Sequence, residues 1–241
     1  MTASKPIDSR DRLIFAMDVA EPAAARELAE SLGDAVQFYK LGLEMMMSGG
    51  YFELLDWMAK RGKKVFADLK FFDVPATVGA AVRQLARRGV TFATVHGNQG
   101  IMEAAAKAKG GVKILAVTVL TSLDRGDLDD LGFACDVEQL VLSRARRALA
   151  AGCDGVVASG LELPAMRRAV DQRLLVVTPG IRPVENRPAD DQKRVVTVEQ
   201  AFRDGADYIV VGRPIRDAAD PRQAAQAIQA TIAGIFSSRG A

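Results

Sequence analysis

Residues 64–95 read KVFADLKFFDVPATVGAAVRQLARRGVTFATV. The short apolar run 64–69 predicts a strand, and residues 77–88, with apolar side chains at i, i+3 and i+4, predict a helix. Arg88-Gly89 follows with the residue type that suits a left-handed C-cap, and 92–95 is strand-like again. Two strands separated by a helix run parallel, because the crossover returns the chain to the same edge of the sheet.

The same unit recurs from end to end. Strands are predicted at 13–17, 36–41, 64–69, 92–95, 112–119, 155–158, 174–178 and 208–211, with helical periodicity at 23–32, 77–88, 137–151 and 223–236 between them. Ala151-Gly152 and Asp204-Gly205 repeat the Arg88-Gly89 turn. Such a count of units in 241 residues matches a (β/α)8 TIM barrel: an α/β fold forming one domain over 1–241, with 1–11 as an N-terminal extension. A doubly wound open sheet is the main competitor, but no G-x-G-x-x-G follows any strand. The long connection 180–196, with prolines and many charges, is expected to be a mobile loop that grips phosphate.

Composition narrows the function. Lys and Arg total 32 against 30 Asp and Glu, which gives no electrostatic reason to expect nucleic acid or an anionic membrane as partner. No apolar run approaches the length of a membrane span, and the first dozen residues show no secretory signal, so a cytoplasmic location is expected. One His and two Cys cannot build a multi-histidine zinc site, and no metal is expected.

Chemistry concentrates where the predicted strands end. Asp68 and Lys70 lie two apart on one strand and so share a face, as do Phe38 and Lys40 on the preceding strand. With Asp73 three residues beyond Lys70, two lysines and two aspartates are expected to meet in one space and keep one another charged. Stability alone is a poor reason for such a group, because buried ion pairs seldom improve it. The loops after the seventh and eighth strands, Pro179-Gly180-Ile181-Arg182 and Gly212-Arg213-Pro214, are where this fold commonly binds phosphate. Glycine lets backbone N–H groups approach an anion, arginine supplies a fork of donors, and Gln192 on the long loop adds a neutral donor.

The segment Asp68-Leu69-Lys70-Phe71-Phe72-Asp73-Val74-Pro75-Ala76-Thr77 resembles the D-x-K-x-x-D-[IV]-P-x-T signature of the orotidine 5'-phosphate decarboxylase family. Phe15-Ala16-Met17-Asp18, Tyr39-Lys40-Leu41-Gly42, Val119-Leu120-Thr121-Ser122, Pro179-Gly180-Ile181-Arg182-Pro183, Asp191-Gln192 and Val211-Gly212-Arg213-Pro214-Ile215 resemble that family's other elements, in its order. The resemblance implies cofactor-free decarboxylation of orotidine 5'-phosphate to UMP. It implies that Asp18 and Lys40 hold the ribose, Asp68 faces the substrate carboxylate, and Lys70 delivers a proton to carbon 6. Thr121 and Ser122 would read the pyrimidine edge, Pro179 would line the ring, and Arg182, Gln192, Gly212 and Arg213 would hold the phosphate. It further implies a homodimer in which Asp73 and Thr77 reach the neighbouring site.

Two rivals remain: a Mg-dependent keto-sugar-phosphate decarboxylase or epimerase on the same barrel, and a non-catalytic phosphate-binding barrel. His96, at the end of the fourth strand, is expected to serve hydrogen bonding or an interface, since Lys70 already fills the donor role. Arg144, Arg146, Arg147, Arg167 and Arg168 read as solvated helix faces, Met45-Met46-Met47 as core or subunit contact, and Cys135 and Cys153 as inert.

Overall fold

Eight short strands, most of them buried on both faces, need helices outside and side chains inside, and a closed barrel supplies both. The computed structural model describes residues 5–182 and 195–237. Its strands are β1 (Leu13–Ala16), β2 (Phe38–Leu41), β3 (Lys64–Phe71), β4 (Phe92–His96), β5 (Lys113–Val117), β6 (Gly155–Val157), β7 (Leu175–Thr178) and β8 (Tyr208–Val211). They close in chain order, every neighbouring pair parallel and β8 returning to β1. All eight predicted strands are present, and closure excludes the open sheet.

The predicted helical stretches are also present, as Pro22–Leu32, Pro75–Ala86, Val137–Ala150 and Pro221–Ser237. Proline begins three of them, where its missing N–H goes unused, and Asp136 caps the fourth by accepting from the Gln139 N–H. The helix-to-strand turns at Gly89, Gly152 and Gly205 have φ of 68°, 82° and 109°, the left-handed conformation their sequence predicted.

Alternation along the strands divides the core in two. One set of side chains packs outward under the helices, and a smaller set fills the barrel: Ile14, Phe38, Phe66, Phe92, Leu115 and Tyr208 among them. Four aromatic rings of this inner set form one layer, with centroids 5.0 Å (Phe38–Phe92), 5.9 Å (Phe66–Phe92) and 5.1 Å (Phe92–Tyr208) apart. Each such ring contributes about 1.5–3 kcal/mol by burial, and together they make an apolar floor for whatever stands above them.

The N-terminal end of the barrel is closed by the chain's own start. Ile7 packs against the inner cluster, while Lys5 Nζ lies 2.5 Å from Asp207 Oδ2 and also donates to the Leu174 carbonyl. Arg167 does not belong to a solvated face: its guanidinium donates to Gly205 O, Leu174 O and Asp207 Oδ2. Arg144 likewise turns in to the Thr118 carbonyl and lies over Phe133. Both use long apolar stems to bring charge to strand-end carbonyls, which helix periodicity alone does not foretell. Met45 is buried in the core, whereas Met47 is 82 % exposed. Among the described residues no helix is long and apolar enough to cross a membrane.

Candidate active site

Above the aromatic layer the inward positions turn polar. Phe38, Phe66 and Phe92 are followed two residues later on the same face by Lys40, Asp68 and Thr94. These three occupy the next layer, where the C-terminal ends of the strands open into a cavity of about 690 Å3, a size usual for small-molecule sites. Asp18, Lys40, Asp68 and Lys70 line one side of it. Lys40 Nζ stands 3.1 Å from Asp18 Oδ1 and 3.6 Å from Asp68 Oδ2, and Lys70 Nζ is 3.0 Å from the same Asp68 oxygen.

Charge alternation decides the ionisation of this cluster. Burial works against the carboxylate of Asp68, only 8 % exposed, but Lys40, Lys70 and the Thr94 hydroxyl outweigh it and hold its pKa below the usual aspartate range. Burial likewise opposes the charge on Lys40, and the Asp68 and Asp18 carboxylates overcome it, raising that pKa above the usual lysine range. The result is an array of fixed charge over an apolar floor, arranged before any substrate enters.

The expected quartet is incomplete within one chain. Asp73 does not join Lys40, Asp68 and Lys70; its carboxylate accepts from the Val74 N–H and its side chain is exposed. The cause is local. Lys70 has φ of 47°, the one positive value at a non-glycine among the described residues, and the β3–β4 register shifts between Ala67 and Phe71. The chain bends at Lys70 and leaves the barrel after Phe71, which still pairs with Val95, and Phe72 through Thr77 run exposed, with Phe72 65 % and Val74 62 % accessible. Neither Asp73 nor Thr77 lines this chain's own cavity.

Across the barrel from β3, four strands away at β7 and three at β8, the mouth is lined by Pro179, Gly180 and Arg182 after β7 and by Gly212 and Arg213 after β8. Thr121 and Ser122, beyond β5, complete the wall. Ile181 and Val196 pair across the base of the long connection: Arg182 N donates to Val196 O at 3.0 Å, and Val196 N to Gly180 O at 3.2 Å. Gln192, and with it most of the expected loop 180–196, lies outside the described residues. Among the described residues five cations (Lys40, Lys70, Arg182, Arg213, Arg216) face two carboxylates (Asp18, Asp68) around the cavity, which suits an anion carrying more than one negative charge.

Two contributors escape the sequence reading. Arg216 also lines the cavity and donates to the Asp18 carbonyl at 2.8 Å; its place three residues after Arg213, on the same short helix, was the available signal. Thr94 touches both members of the Asp68–Lys70 pair, and its spacing from Phe92 would have put it on the inner face. His96 packs on Phe72, ring centroids 4.6 Å apart, and burial, aided by Arg144 and Lys70, lowers its pKa and keeps it neutral at pH 7. Cys153 is buried, its thiol pushed up to about 12 by burial, and so carries no thiolate. Among the described residues no group of three or more His, Cys, Asp or Glu could hold a metal ion.

Comparison with known proteins places this geometry. Residues 11–228 match the model of the "Orotidine 5'-phosphate decarboxylase / HUMPS family". The chain is 70 % identical to an orotidine 5'-phosphate decarboxylase from Methylococcus capsulatus, with 97 % of each chain covered. It is 53 % identical to one from Xanthomonas oryzae pv. oryzae, with 95 % of each covered. The crystal structure of orotidine 5'-phosphate decarboxylase from Lactobacillus acidophilus superposes with a TM-score of 0.82 at 33 % identity, over 92 % of this chain and 99 % of that one. A charged Asp-x-Lys pair at the mouth of a closed parallel barrel, facing two arginine loops, and relatives this similar over nearly their whole length mark the chain as a member of the orotidine 5'-phosphate decarboxylase family.

Proposed function

We propose that this protein decarboxylates orotidine 5'-phosphate to UMP and carbon dioxide, the final step of pyrimidine nucleotide synthesis, and that Lys70 both stabilises and protonates the carbanion. The observation that carries the mechanism is the Lys70 ammonium held 3.0 Å from Asp68 and backed by Lys40, in a cavity whose far wall carries Arg182 and Arg213. The 70 % identical relative bears the name of the same activity.

In this reading the phosphate lies against Arg182, Gly212 and Arg213, the ribose against Asp18 and Lys40, and the pyrimidine between Pro179 and the Thr121-Ser122 edge. That pose brings carbon 6 and its carboxylate to Lys70 and Asp68. The bond from carbon 6 to the carboxylate breaks, carbon dioxide leaves, and the electron pair stays in an sp2 orbital that the ring cannot delocalise. An ammonium already fixed beside that carbon lowers the charge-separation cost in the transition state, where it matters for rate. Lys70 then transfers one proton to carbon 6 and regains one from solvent. Substrate, Lys70 and solvent supply every bond and proton the reaction uses, and no cofactor enters it. Phosphate contacts remote from carbon 6 give binding energy that positions the reacting carbon against Lys70.

The site is completed by a second copy of the chain. Asp73 and Thr77 face away from their own cavity on an exposed segment with Phe72 and Val74, which supports a homodimer in which they enter the neighbouring site. The two free cysteines fit a reducing, cytoplasmic setting, with no nucleic acid or membrane as partner.

Purified protein, exhaustively treated with a chelator and given orotidine 5'-phosphate, is expected to convert it to UMP with one carbon dioxide per turnover, followed as loss of pyrimidine absorbance. Activity retained after exhaustive chelation would exclude the Mg-dependent sugar-phosphate rival. Binding without turnover would favour a silent phosphate-binding barrel.

A further inference from the structure

We propose that Thr94 is a positioning residue for this decarboxylation, its one hydroxyl fixing both the left-handed turn at Lys70 and the orientation of the Asp68 carboxylate. The inference rests on the reaction assigned above and concerns a residue outside the Asp-x-Lys signature.

Thr94 is fully buried on β4, on the inner face one step above Phe92. Its hydroxyl has a single proton, donated to Asp68 Oδ1 at 2.9 Å. Its oxygen accepts the Lys70 backbone N–H, also at 2.9 Å. Both contacts fall where β3 departs from regular geometry: the β3–β4 ladder breaks between Ala67 and Phe71, and Lys70 has φ of 47°. A lysine adopts that conformation only where its surroundings impose it. The Lys70 N–H is met there by Thr94 Oγ1, so the side chain anchors the turn that ladder geometry no longer fixes.

The second contact sets the carboxylate. With Oδ1 tied to Thr94, Asp68 presents Oδ2 to both Lys70 Nζ at 3.0 Å and Lys40 Nζ at 3.6 Å. One hydroxyl thus places the reacting amine twice, through its own backbone and through its carboxylate partner. A group in this position needs to donate and accept at once, which serine can do and valine, of nearly threonine's shape, cannot.

Thr94→Val is therefore expected to lower kcat by about 100-fold, the scale of an ångström's misplacement at the reacting atoms, with KM for orotidine 5'-phosphate nearly unchanged. Thr94→Ser is expected to restore most of kcat, and Thr94→Ala, which needs no extra room, to behave like the valine variant. A crystal structure of Thr94→Val is expected to show Lys70 displaced from its left-handed φ. The proposal is overturned by a valine variant with kcat close to that of the unsubstituted protein, by a serine variant as slow as the valine one, by a loss that falls on KM instead, or by Lys70 φ and its contact to Asp68 unchanged in the valine structure. Failure of both Val and Ala chains to fold would also overturn it, assigning Thr94 to the fold. If the unsubstituted chain itself shows no turnover, the activity assignment fails, while the valine crystal structure still decides whether Thr94 sets the turn.

Discussion

Removing the amine of Lys70 is the perturbation whose size the structure predicts best. In Lys70→Ala, Asp68 loses an ammonium 3.0 Å from Oδ2 but keeps Lys40 at 3.6 Å and the Thr94 hydroxyl at 2.9 Å, so the carboxylate stays paired and the fold stands. The effect falls on the reaction. A unit charge about 4 Å from the developing carbanion contributes about 4 kcal/mol at an effective dielectric constant of about 20, close to a thousandfold in rate. Loss of the proton donor adds about 10²–10⁴. Together they predict a fall in kcat of about 10⁵–10⁷. UMP binding, carried by phosphate and ribose contacts remote from carbon 6, is expected to change by less than about tenfold. Absorbance kinetics on the variant, with calorimetric titration of UMP, measure both quantities. Residual kcat within about 100-fold of the unsubstituted protein, below what even one of the two roles predicts, would refute the assignment.

Three further outcomes follow from the same geometry. Because the Asp68 pKa is lowered by folding, its ionisation contributes stability that is present above the ordinary aspartate pKa of about 3.9 and lost as pH falls through the lower folded value; the melting temperature of the unsubstituted protein relative to Asp68→Asn should be flat from pH 5 to 8 and decline in acid, and a constant difference throughout would contradict this. Mixing and reassorting Lys70→Ala and Asp73→Ala chains should regenerate native sites in roughly a quarter of positions, since one site of each mixed dimer is intact; no recovered activity would exclude a shared site. At the opposite end of the barrel, Asp207→Ala strands the Lys5 and Arg167 charges and leaves the Val176 N–H without its carboxylate partner, so unfolding free energy should fall by about 3–5 kcal/mol with kcat unchanged; denaturant titration checks the first and kinetics the second.

Legibility in the sequence tracked how local each cause was. Strands such as Tyr208–Val211 and the glycine turns at 89, 152 and 205 follow from short-range preferences, and all were readable. So was the sharing of one face by Asp68 and Lys70, which period-two alternation dictates. The direction taken by Asp73 was not legible from alternation, and only the family resemblance aimed it at a neighbouring site, because it depends on a left-handed lysine and nothing in a run of ordinary residues signals that the backbone will turn there. Thr94 stands beside Asp68 by the regular β3–β4 register, but its second contact, with the Lys70 N–H, arises only where that register shifts. Arg167 and Arg144 look solvated on a helical wheel, yet they reach carbonyls on strand ends far away in the sequence.

The central claim is that Lys70 moves a proton on and off carbon 6, and hydrogen exchange at that carbon tests it most directly. By microscopic reversibility, a protein that protonates the carbanion also removes that proton from bound product. UMP incubated with the unsubstituted protein in D2O should acquire deuterium at carbon 6, read by proton NMR, and should acquire none with Lys70→Ala. Exchange that continues undiminished without the Lys70 amine would contradict the account.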